Sequence, residues 1–61
     1  MANLTTKELS GIEDQLKSEQ IVISKCNYYA QNTQDVALKA KFEEIAQKHQ
    51  QHYDKLYSLL G

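Results

Sequence analysis

A carboxylate and two imidazoles, Glu19, His49 and His52, occupy positions where the surrounding sequence calls for apolar side chains. A carboxylate oxygen and two imidazole nitrogens are the donor types that hold zinc or iron with an open coordination position. His49 and His52 are spaced i, i+3, so a helix puts both rings on one face. With Glu19 supplied from a facing helix they form a three-ligand His2Glu set. The same residues also allow a purely structural reading. In it, Glu19 hydrogen-bonds one histidine, as a carboxylate–imidazolium pair, and the polar cluster fixes register and choice of partner. On either reading the three groups need one another, because polar groups buried without partners are costly.

The elements that must position them are legible from periodicity. Leu9, Ile12, Leu16, Glu19, Ile23, Cys26 and Ala30 follow a 3-4 spacing, and so do Leu38, Phe42, Ile45, His49, His52, Leu56 and Leu59. This is the pattern of helices packed side by side. The chain reads as a single domain over residues 1–61, with a helix over about 5–31, a turn over about 32–35 and a helix over about 36–60. Thr5 and Glu8 have the spacing of a capping box, and Leu4 and Leu9 can form the accompanying hydrophobic staple. Asn32, Thr33 and Asp35 are residue types that favour turns and caps. Thr33 or Asp35 can cap the second helix, and Asp35 is the preferred choice. Gly61 stands where a terminating glycine belongs.

A connection this short makes the helices antiparallel. Folding about Thr33 or Gln34 puts residue i opposite roughly residue 67 minus i. Glu19 then lies level with about residue 48, next to His49 and one turn from His52. The three polar residues are therefore expected to converge at mid-height. Val22 and Tyr29 on the first helix, and Ala46, Tyr53 and Leu60 on the second, extend the apolar surface beyond what one neighbouring helix covers. The expected fold is an all-α, antiparallel two-helix hairpin that pairs with a second copy into a four-helix bundle. Two copies would bring up to four histidines and two glutamates into one core. Ile21, Tyr28 and Tyr57 fall on the outer faces, where they are available for further contacts.

Composition narrows the function classes. Small domains usually need a disulfide, a metal or a partner. Cys26 is the only cysteine, so no intrachain disulfide forms. It lies in the apolar seam, where a thiol acts as a small hydrophobe, and a free thiol suits a reducing, intracellular compartment. The net charge of -1 gives no broad attraction to nucleic acid. The longest apolar run, Ile21 to Ile23, is far too short for a membrane span. Met1 leads into Asn3, Thr5 and Lys7 without an apolar run, so no secretory leader is expected. Gln47, Lys48, Gln50 and Gln51 read as a solvated face.

Three stretches carry a family resemblance. Glu19-Gln20-Ile21 through Tyr28-Tyr29-Ala30, with Phe42 to Ala46 and His52 to Leu56, resembles half of a ferritin-like bundle of rubrerythrin type. The resemblance implies a glutamate eleven residues before an alanine that follows an aromatic, as Glu19 stands to Tyr29-Ala30. His52 matches the histidine of the second-helix Glu-x-x-His motif. His49 occupies the place of its glutamate, so the bridging carboxylate of a di-iron centre is missing. An oxidase or peroxidase would need more seam carboxylates than Glu19, and Glu13, Glu43 and Glu44 lie off the seam.

A closer resemblance covers nearly the whole chain. Leu4 to Leu9, Ile12-Glu13-Asp14, Glu19-Gln20 and Ile45 to Tyr53 are similar to small spore-coat proteins of the coat F type from spore-forming Firmicutes. That family implies a ferritin-like helical fold, a mother-cell or spore-coat setting and a structural role. The expectation is thus a non-enzymatic structural or interaction protein, a homodimer that engages other spore coat proteins and neither nucleic acid nor membrane. The alternative is a ferritin-like metal-binding module that takes zinc or iron at Glu19, His49 and His52.

Overall fold

The computed structural model describes residues 3–61. Met1 and Ala2, where the reading of no leader begins, lie outside them. Two helices, α1 (Thr6–Asn32) and α2 (Val36–Ser58), pack against each other. No strand occurs among the described residues. The result is a slender hairpin with principal extents of 46 × 15 × 10 Å.

Both starts are built as their sequences dictate. Thr5 caps α1: the Glu8 N–H donates to its Oγ1 at 3.1 Å, and its own N–H donates to Glu8 Oε1 at 3.0 Å. That reciprocal pair satisfies two backbone donors that the first turn would otherwise leave free. The Thr5 backbone and hydroxyl also hold the Glu8 carboxyl below its ordinary pKa. Asp35 caps α2 by accepting the Leu38 N–H at 3.0 Å. Thr33 serves α1 instead: its N–H donates to Tyr29 O at 3.0 Å, and its Oγ1 accepts the Asp35 N–H at 3.2 Å. The residues weighed as caps therefore both have work, one closing α1 and the other opening α2.

The far end differs slightly from the sequence reading. The regular helix stops at Ser58, and Leu59 and Leu60 form a turn, with N–H groups donating to Leu56 O and Tyr57 O at 3.1 and 3.0 Å. Gly61 follows with φ 129°, a value that L side chains rarely adopt. Gly11, by contrast, sits in regular helix, and a Cβ added there meets nothing within 4 Å. Gly11→Ala should therefore raise stability by up to about 1 kcal/mol, through helix propensity alone. An unchanged or lower melting temperature would show that Gly11 has a role beyond the helix.

The core is thin. Leu16, Cys26, Ala30 and Ala46 are the buried apolar residues, and Glu19 is buried among them. Ile12, Val22, Ile23, Phe42, Ile45, Tyr53, Leu56 and Leu60 are half-buried. Tyr29 lies against Phe42 across the hairpin, with ring centroids 5.3 Å apart. On α1 the expected seam is largely the buried line. On α2 it is not: Leu38, His52 and Leu59 are exposed, and the covered line runs through Phe42, Ala46, His49, Tyr53, Leu56 and Leu60. The 3-4 pattern left two overlapping stripes possible. The helix turned toward the stripe containing small Ala46, which lets backbones approach closely. Leu38, Ile45, His52 and Leu59 form the other stripe, along the rim of the contact.

Candidate metal centre

Glu19 comes from the middle of α1, and His49 and His52 come from the fourth and fifth turns of α2. The short Thr33–Asp35 connection sets their level. Glu19 Oε2 meets His49 Nδ1 at 2.5 Å, so the pair sits within one residue of the expected register. His52 Nδ1 lies 3.7 Å from the other carboxylate oxygen, Oε1, beyond direct hydrogen-bond reach. Gln15 Nε2, one turn up on α1, donates to that same Oε1 at 3.3 Å. The two imidazoles stand edge to face, with centroids 5.3 Å apart and an interplanar angle of 78°.

Burial falls off sharply across the cluster. Glu19 is 6% exposed, whereas the His49 and His52 side chains are 31% and 59% exposed. The cluster is therefore rooted in the core at Glu19 and opens outward at His52. No buried side-chain nitrogen or oxygen lacks a partner among the described residues. Glu19 is thus satisfied by protein alone, through His49 and Gln15.

The carboxylate is held below the ordinary glutamate pKa. The hydrogen bond to His49 is the largest cause, burial opposes it, and the Gln15 bond and the nearby imidazole charges add to it. A carboxyl whose folded pKa is depressed stabilises the fold above its unfolded pKa. That contribution is lost as pH falls through the lowered folded value. In the presence of chelator, acidification should therefore destabilise the hairpin, and Glu19→Gln should flatten the acid limb of its urea-midpoint profile. Parallel acid limbs in the two proteins would remove Glu19 from the account.

One donor atom from each residue lies within 4.8 Å of the other two. Tetrahedral zinc, with bonds of about 2.0–2.2 Å, needs donor atoms roughly 3.3–3.5 Å apart. The 2.5 Å His49–Glu19 contact is shorter than that, and the 3.7 Å His52–Glu19 contact is slightly longer. The donor set suits zinc or ferrous iron better than calcium or magnesium, which favour all-oxygen shells.

Cys26 is buried and unpaired, filling the core as a small apolar group. Lys48 pairs with Glu44 at 3.7 Å on the exposed face, and Gln50 donates to Asp54 at 3.0 Å. Glu43 and Glu44 are exposed and away from the cluster, as is Glu13 on α1. Gln15 is the one cluster member that sequence reasoning missed. Its signal was available, since it stands one turn before Glu19 on the same helix. No helix among the described residues is long and apolar enough to cross a membrane. Comparison of the chain with protein-family models, curated proteins and solved structures finds no match.

Proposed function

We propose that this chain is a non-enzymatic structural or interaction protein of the spore coat F type, working as a homodimer whose two hairpins pair into a four-helix bundle. The coat assignment rests on the sequence resemblance. The dimer is supported by surface area. A compact folded chain of this mass exposes about 4,000 Å². The hairpin exposes 4942 Å². The excess of about 900 Å² comes with a slender shape, in which the rim leucines Leu38 and Leu59 stay uncovered, and it leaves room for an interface of standard size, roughly 800 Å² per partner. In this reading the Glu19–His49 pair acts as a register and specificity device, and exposed Tyr28 and Tyr57 are free to meet other coat components.

The assembly makes a direct prediction. Only the dimer buries the rim residues, so the melting temperature should rise with protein concentration, by mass action. Circular dichroism melts across a hundredfold concentration range, paired with sedimentation equilibrium, read this out. A stable monomer with a concentration-independent melt would overturn the dimer.

A second reading has its own observation. The convergence of Glu19, His49 and His52 within 4.8 Å supports a metal-binding helical module that takes zinc or iron. Titration calorimetry with zinc, iron and manganese tests it, with saturation expected near one ion per chain or per dimer. Binding should weaken on acidification, because protons compete for the imidazole nitrogens.

A further inference from the structure

Two sides of the hairpin differ in chemistry. One carries a groove of mixed lining, where Gln20, Asn27, Gln47 and Gln50 stand beside Ile23 and Ala46. At about 100° per residue, the opposite side collects the rim stripe of α2, namely Leu38, Ile45, His52 and Leu59, with Val22 and Tyr29 from α1. Leu38 and Leu59 are 45% and 46% exposed. A shallow, almost wholly apolar hollow lies there, lined by His52, Lys55, Leu56 and Leu59. His52 is thus both the exposed arm of the metal cluster and the centre of the apolar stripe.

We propose that a second copy of this chain docks on the stripe and covers the metal site, so that zinc binding and dimerisation are one linked equilibrium. The proposal rests on the metal-binding reading above. The occupant follows from the exposed area, which exceeds that of a compact chain by about the contribution of one partner to a stable interface. The linkage follows from the burial gradient. One hairpin offers three ligands, which leaves a fourth position of a zinc ion to water, and of the three His52 is the most exposed. A second copy on the stripe closes the His52 side, shields the ion from water and restricts His52 to its ligating position. Whatever factor dimerisation adds to zinc affinity, zinc must return to dimer affinity.

The test titrates zinc against a chromophoric chelator, at chain concentrations below and above the dimer midpoint, with sedimentation velocity in parallel. Wild type should bind zinc at least tenfold more tightly as dimer than as monomer, and zinc should lower the dimer dissociation constant by the same factor. The double variant Leu38→Glu/Leu59→Glu keeps all three ligands. It should stay helical and monomeric, and bind zinc as weakly as the wild-type monomer. His52→Ala should still dimerise, with no response to zinc. Equal zinc affinity in wild-type monomer and dimer would overturn the linkage and leave the metal reading standing. So would wild-type zinc affinity in a monomeric Leu38→Glu/Leu59→Glu variant. Absence of zinc binding at every concentration would overturn both. Dilution of the wild type supplies the monomer comparison if the variant fails to fold.

Discussion

Leu16→Ala should leave the chain largely unfolded at concentrations where the wild type is helical. Leu16 is the largest of the four buried apolar side chains, and the other three are a cysteine and two alanines. Truncating a buried leucine to alanine costs about 2–5 kcal/mol, comprising lost transfer energy and the cavity left behind. A domain of this size has a total stability on the order of 3–9 kcal/mol. The substitution therefore removes a large part of the whole. A core this thin has no second large buried side chain to compensate, and two helices in one contact cannot rearrange around the hole. Loss of helical circular dichroism, or a sharply lowered urea midpoint, is the expected readout. A loss below about 1 kcal/mol would mean that packing around Leu16 contributes little to the fold.

The second large effect separates the two roles of the polar cluster. Single replacement of His49 by leucine takes away the shortest partner of Glu19 and leaves a buried carboxylate with one hydrogen bond, from Gln15, and His52 at 3.7 Å. That variant should be clearly less stable than wild type, because a buried charge that loses its closest partner is among the costliest defects. Replacing both members, Glu19→Leu with His49→Leu, removes the charge together with its partner. Its stability in chelator should equal or exceed that of wild type, since packed apolar groups often replace a buried ion pair without loss. The same double variant keeps only His52 of the three ligands and should lose stoichiometric zinc binding entirely. If zinc raises the melting temperature of wild type and not of the double variant, the cluster is a metal site. If zinc raises neither, and the double variant loses only dimer specificity, the cluster is a register device. A double variant as unstable as the single one would contradict the pair geometry itself.

Much of this molecule was readable in one dimension. The helices, their antiparallel arrangement and the caps follow from local chemistry: a Thr-x-x-Glu box at one start and Asp35 at the other. A connection of three residues, Thr33–Asp35, leaves little freedom of register. That is why Glu19 was expected level with residue 48 and is found on His49. The α2 seam was misjudged for an equally physical reason. Leu38, Ile45, His52 and Leu59 repeat every seven residues, and so do Ala46, Tyr53 and Leu60, on an adjoining stripe of the same helix. Periodicity of 3.6 residues makes both plausible contact lines.

The sequence by itself determined which residues are helical, which way the chain reverses and that Glu19, His49 and His52 meet at mid-height. These follow from backbone propensity, capping and residue spacing, all of which act over a few positions. The tertiary structure alone decided which stripe of α2 turns inward, because that depends on how closely two backbones approach and how side chains interdigitate. It put Ala46 in the contact and left His52 at the rim. It thereby gave the cluster its gradient from buried Glu19 to exposed His52. Rotation of a helix about its own axis changes no hydrogen bond within it, so no local rule fixes it, and only packing does.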